Sequence, residues 1–250
     1  MSSEATDRII YGIQAVRHAL KEQAGQVLNV YLLRELGRER HARLADELRG
    51  MLVNLERCDA GRLAALTGTD KHQGVAARIA QTVAMGEREA RDFVTGLTQP
   101  LILILDGVQD PRNFGSCLRT AEAAGVDLVV TARNRSVDLT PVVSKVASGA
   151  AELQAQARVA NLARFIEFLR EQGVWIVGAD AAAEQSLFDL DASGATALVI
   201  GGEGRGLRRL TRERCDQLVR LPMRGTVDSL NLSVAAGVCL YECLRQRGAT

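Results

Sequence analysis

From position 101 onward, short apolar runs alternate with longer stretches whose apolar residues recur every three or four positions. LILILD (101–106), DLVVT (127–131) and WIVGA (175–179) are short and rich in β-branched residues, so they read as strands. Residues 113–124, 141–151 and 162–172 carry the helical period, the first and third closed by Gly125 and Gly173. Two more strands, 197–200 and 218–221, run into turns built of Gly, Ser and Asn. The alternation predicts an α/β fold, a parallel sheet with helices on both faces. On such sheets ligands sit at the carboxyl ends of the strands, where both glycine-rich turns fall.

Residues 8–80 form a separate pattern. A helix over 11–23 (Ile13, Val16, Leu20), a strand over 27–33 and a helix over 38–48 are followed by a strand over 52–55, a short helix near Leu63 and a strand over 74–79. This is a small α/β domain. The charged stretch 81–99, containing GEREARD and ending Thr98-Gln99-Pro100, reads as an interdomain linker. Residues 100–250 form the second domain.

The C-terminal stretch LPMRGTVDSLNLSVAAG (221–237) leads into a long helix in which Leu230, Val234 and Val238 recur every fourth residue, predicting that this stripe is its buried side. Ser229 and Asn231 fall at its start, where they can cap it or present hydrogen-bonding groups to a ligand. Upstream, in ALVIGGEGRGL (197–207), Gly201, Gly202, Gly204 and Gly206 permit positive φ and close approach to a ligand, although a tight strand-to-helix turn also accounts for a lone glycine cluster. Glu203 is an acid set among those glycines. In DPRNFGSCLRTAEAAG (110–125), Asn113 stands where a helix N-cap is expected. The apolar stripe is Phe114, Leu118 and Ala121, and Arg119 points to another side with Ser116 and Ala123.

Composition narrows the partners. The net charge is only +1, so nucleic acid can be held only by local basic patches. All but three of the 31 basic residues are arginine, which suits bidentate phosphate contacts, although a coding bias gives the same imbalance. Five cysteines without a C-x-x-C pair and three scattered histidines suggest neither a disulfide framework nor a metal site. No apolar run approaches the roughly 18 residues of a membrane helix, and the N-terminus has no apolar signal region, so a cytoplasmic protein is expected. The first strand of the second domain is followed by no G-x-G-x-x-G and the chain has no P-loop, which disfavours NAD and ATP enzymes. No His or Cys stands in the glycine-rich turns as a covalent nucleophile.

Taken together and in order, the segments 110–125, 197–207 and 221–237 resemble the three signature motifs of the SpoU branch of the SPOUT RNA 2′-O-methyltransferases. Residues 8–80, with YGIQAV (11–16) and KHQG (71–74), resemble the ribosomal-protein-like RNA-binding domain found in one subfamily. KHQG alone also reads as a polar lead into a strand. The resemblance implies a C-terminal trefoil knot, S-adenosylmethionine as cofactor, a homodimer, and 23S ribosomal RNA as partner, methylated on the ribose of a guanosine in the peptidyl-transferase P loop. It places Asn113, Arg119, Glu203, Ser229 and Asn231 in catalysis, and Gly201, Leu221 and Leu230 at the cofactor. Transfer RNA or another ribosomal position as substrate, and a non-catalytic RNA-binding assembly factor, are the readings it leaves beside this one.

Overall fold

The computed structural model describes residues 7–22, 27–34, 53–80, 84–134, 136–204 and 206–248. The helix expected over 38–48 lies outside the described residues. Two compact units emerge, one of residues 1–83 with 139–153, the other of 84–138 with 154–250.

The first unit is a four-stranded sheet of order β1-β4-β2-β3, with β1 at Asp7–Tyr11, β2 at Val27–Leu33, β3 at Asn54–Cys58 and β4 at Val75–Ala80. Only β2 and β3 run parallel. Because side chains alternate across a strand, each face has its own core. Ile10, Val30, Leu32, Ala77 and Ile79 pack on Val16, Ala19 and Leu20 of α1 (Ile13–Glu22). Tyr11, Tyr31, Cys58 and Ala76 pack on Leu63 of α2 (Ala60–Thr67). Strand β1 is absent from the sequence reading, and Tyr11 ends it rather than opening the helix. The turn between them is Gly12, at φ 94°.

KHQG serves this unit's own geometry. His72 is buried and its Nδ1 accepts the Gly74 N–H at 3.0 Å, while Gln73 Oε1 accepts the Ile13 N–H at the start of α1 at 3.0 Å. The helix expected over 141–151 is two, α5 (Pro141–Ala147) and α6 (Ala150–Leu153). Ser148 and Gly149 separate them at φ 53° and 101°, a left-handed interruption that no α-helix continues through. Gly149 packs on His18 so closely that an added Cβ would lie 2.2 Å from the ring, and Lys145 stands over the Tyr11 ring at 5.0 Å.

In the second unit, seven strands run in the order β7-β6-β5-β10-β8-β11-β9, and every pairing is parallel. They are β5 (Leu101–Asp106), β6 (Leu128–Ala132), β7 (Gln156–Val159), β8 (Trp175–Ala179), β9 (Gln185–Ser186), β10 (Thr196–Gly201) and β11 (Gln217–Arg220). All six residues of β5 are buried, as expected for a central strand covered on both faces. On one face Ile102, Ile104, Val130, Ile176 and Val199 meet Ala90 and Val94 of α3 (Glu87–Thr95) and Phe165, Ile166 and Leu169 of α7 (Leu162–Glu171). The stretch 81–99 thus contains a helix that contributes to this core.

Elsewhere in the sheet, α9 (Leu232–Gln246) packs on β10 and on α4 (Pro111–Ala123). Its buried apolar residues are Leu232, Ala236, Cys239, Leu240 and Cys243. The stripe of Leu230, Val234 and Val238 does not face inward as the sequence period suggested, Leu230 and Val234 being 37% and 50% exposed. Both sides of this helix are apolar, so the period alone could not choose between them. At its end Arg247 donates to the carbonyls of Gln99 and Pro100, both at 3.1 Å, tying the C-terminus to the start of β5. Among the described residues no helix is long and apolar enough to cross a membrane.

Candidate active site

A cavity of about 750 Å³ opens where β8, β10 and β11 end. Its lining comes from three stretches: Ala179–Ala181 after β8, Ile200–Leu207 after β10, and Leu221–Ala235 after β11. Gly201, Leu221 and Leu230 line it, as do Glu203, Ser229 and Asn231. The walls mix apolar side chains with exposed main chain, a surface that suits an amphiphilic nucleoside with an aliphatic tail.

The glycines of this turn divide into two kinds. Gly204 and Gly206 adopt φ 72° and 62°, with no atom near an added Cβ. Gly201 and Gly202 do not need positive φ. A Cβ on Gly201 would meet the Gly206 carbonyl carbon at 2.1 Å, and one on Gly202 the Gly107 oxygen at 2.8 Å. The main chain folds back on itself here, Gly202 donating to the Asp106 oxygen at 3.0 Å and Gly206 donating to the Gly202 oxygen at 3.1 Å. Close approach is to the chain's own backbone.

Asn113 is not the N-cap of α4. Asp110 caps it by accepting the Arg112 N–H at 2.9 Å, with Pro111 in the first turn, and that hydrogen bond holds the Asp110 carboxyl below the usual aspartate range. Asn113 is therefore freed from capping. Buried one turn inside the helix, it donates through Nδ2 to Glu203 Oε1 and accepts through Oδ1 from Asn231 Nδ2 at 3.1 Å. Asn231 is the N-cap of α9, its Oδ1 taking the Ser233 N–H at 2.9 Å and the Ser233 hydroxyl at 2.7 Å. Side chains some ninety and 118 positions from Asn113 are joined in one chain of hydrogen bonds.

Arg119 is placed differently. It lies six residues beyond Asn113 on α4, about 9 Å further along the axis, is exposed, and does not line the cavity. Ser229 is exposed at the cavity rim and caps nothing among the described residues. Asp180, missed in the sequence, stands at the end of β8, and Arg208, also missed, stands after the glycine turn at the start of α8 (Arg209–Glu213). Asp180 lines the cavity and takes the Arg212 guanidinium at 2.6 Å, a hydrogen bond that keeps its carboxyl below the usual range. The signal was available, since WIVGAD ends a strand in an acid. Cys215 and Cys117 are no nucleophiles, burial pushing each thiol up to about 12.

Residues 100–241 match the model of the SpoU rRNA Methylase family. The chain belongs to this family. Residues 9–82 match a second model, RNA 2′-O ribose methyltransferase substrate binding. The chain is 46% identical over 244 residues to the 23S rRNA (guanosine-2′-O-)-methyltransferase RlmB of Ralstonia nicotianae, covering 96% of each chain. It is 42% identical to the RlmB of Vibrio vulnificus, covering 98% of this chain and 99% of that one. Among solved structures it resembles the SpoU methyltransferase AviRb of Streptomyces viridochromogenes in complex with AdoMet, at a TM-score of 0.79 and 25% identity, over 98% of this chain and 92% of that one. The second unit therefore has the knotted SPOUT fold, preceded by a small N-terminal domain, and the SpoU chain is a methyltransferase.

Proposed function

We propose that this SpoU protein transfers the methyl group of S-adenosylmethionine to the ribose 2′-hydroxyl of a guanosine in 23S ribosomal RNA, in the P loop of the peptidyl-transferase centre. The observation that carries the reading is the Glu203–Asn113–Asn231 hydrogen-bond chain beside a cavity with the dimensions of a nucleoside cofactor. Near-full-length identity above 40% to chains named for that reaction supports the choice of RNA.

Gly201, Leu221 and Leu230 would hold the cofactor, whose sulfonium supplies an activated methyl group and a neutral leaving group. The protein's remaining task is alignment of the hydroxyl and stabilisation of charge on its oxygen, and alignment alone can remove several kcal/mol of barrier. Each carboxamide nitrogen carries two hydrogens; the Asn113 side chain donates to Glu203 and to Asp110, and Asn231 commits one hydrogen to Asn113. The second hydrogen of Asn231 is a donor for the ribose oxygen as it gains charge. Glu203 fixes the orientation of the Asn113 amide, and Ser229 borders the same rim. Arg119, exposed on α4, supplies a cation for the RNA phosphate or the developing alkoxide rather than a base. The first unit selects the RNA, and the working form is a homodimer.

The test is a map of ribose methylation in ribosomal RNA from cells with and without the gene. One guanosine of the P loop should lose its methyl group. Loss at a different position, or in transfer RNA, overturns the substrate while leaving the chemistry.

A further inference from the structure

A second cavity, of about 320 Å³, lies on the other side of the glycine turn and shares Gly202, Glu203 and Gly206 with the first. The rest of its lining is Asp106, Gly107, Gln109 and Arg208. Asp106, at the end of β5, lines it with its side chain fully buried and ion-paired with Arg208. The two oxygens of that carboxylate have different duties. Oδ2 accepts the Arg208 N–H at 3.0 Å, anchoring the chain after the glycine turn. Oδ1 is buried and accepts no hydrogen bond among the described residues; its charged neighbour is the Arg208 Nε, 3.3 Å away. An acceptor held by an ion pair but by no hydrogen bond is one that a ligand bearing an N–H can satisfy. Arg208 reaches this place by crossing over Gly107, whose φ of 94° and missing Cβ leave room, since an added Cβ would lie 2.8 Å from Nη2.

We infer that this cavity is the subsite for the base of the target nucleotide and that Asp106 and Arg208 read it as guanine; the inference rests on the methyl-transfer reading above. The subsite is contiguous with the cofactor cavity through Glu203, and the base is joined to the ribose carbon next to the one carrying the 2′-hydroxyl, so the two must occupy neighbouring cavities. When Arg208 turns from Oδ1 toward the base, Arg208 and Asp106 Oδ1 offer a donor next to an acceptor. Guanine offers the complement, the O6 acceptor next to the N1–H donor, whereas adenine offers the reverse. Uracil shares guanine's first two groups. At the third position it carries an oxygen where guanine carries the N2 amine, and there the Glu203 carboxylate favours the amine and repels the oxygen.

The experiment measures kcat/KM on synthetic 23S fragments carrying guanosine, or 2-aminopurine riboside in its place, at the mapped position. 2-Aminopurine keeps the N2 amine but lacks both O6 and N1–H. Wild-type enzyme should prefer guanosine by roughly 10- to 100-fold, the scale of hydrogen bonds to charged groups. Asp106→Asn can still accept the Arg208 N–H while turning an amide donor toward N1, so its preference should fall at least tenfold with cofactor affinity unchanged. Equal wild-type rates on the two RNAs overturn the subsite, and this arm needs no variant to fold. A preference unaltered in folded Asp106→Asn overturns the role of Asp106 and leaves it as an anchor of the turn. Absence of ribose methylation on every RNA instead defeats the reading on which the inference rests.

Discussion

Arg119 shows how one side chain's chemistry limits its role. Its guanidinium is exposed on α4, away from the cavity wall, where it suits a fixed cation that holds phosphate or ribose oxygen. A positioning cation tolerates a shorter cation better than none. Single-turnover methyl transfer should therefore fall roughly 10²- to 10³-fold in Arg119→Ala, the scale of losing one charge-stabilising group, and less in Arg119→Lys. Neither variant should change cofactor affinity, because the cavity is lined by other residues. A rate for Arg119→Lys that climbs steeply with alkaline pH, when wild type does not, would defeat this assignment and make the side chain a base. Asn113 carries the complementary lesson. Its position reads as a helix start, but Asp110 and Pro111 three and two positions earlier take that duty, and only the fold shows that Asn113 is spent on Glu203 and Asn231.

At the level of elements, the legible parts were those whose pattern has one reading. WIVGA is a strand over the residues expected, and so is the run 101–106. The illegible parts had two readings or needed a distant partner. Helix α9 is apolar on both sides, α3 hides two buried residues in a charged stretch, and the Ser148–Gly149 break follows from packing on His18. The glycine turn was located correctly, but why each glycine is there was not visible. That distinction predicts unequal variants. Gly201→Ala drives a Cβ into backbone that cannot swing aside and should cost about 1–3 kcal/mol, the range for overpacking, together with most cofactor affinity. Gly204→Ala meets no neighbour and pays only for positive φ, about 1 kcal/mol, with cofactor binding kept. Thermal melts and a cofactor titration on both check this, and equal losses would show that conformation rather than crowding governs the turn.

For the whole molecule, the proposed division of labour leaves its trace on the first unit. His72 and Gln73 are committed to the unit's own turns, which leaves Lys71, exposed beside them, as the residue of KHQG available to RNA. Lys71→Glu should raise KM for RNA several-fold, more at low salt than high, and leave cofactor binding alone, because phosphate contacts act through charge. Truncating before residue 84 is a poorer test, since Val143, Ser144, Ala147 and Ala151 of the 139–153 segment are buried within the unit that would be removed. The proposed homodimer has a more specific prediction. Leu230, Val234, Val238 and Tyr241 fall every three or four residues along one side of α9 and the turn before it, and Leu230, Val234 and Tyr241 are 37%, 50% and 52% exposed. The stripe that the sequence marks for burial is thus the one this chain leaves uncovered, and a second copy would complete it. Because Leu230 also lines the cofactor cavity, closing that surface would order one wall of the cavity. Wild-type protein should sediment as a dimer at micromolar concentration, while Val234→Asp should sediment as a monomer, fold normally and bind S-adenosylmethionine at least tenfold more weakly, a desolvated carboxylate being too costly to bury unpaired. A monomeric wild type, or a monomeric Val234→Asp with undiminished cofactor affinity, would sever the dimer from the site.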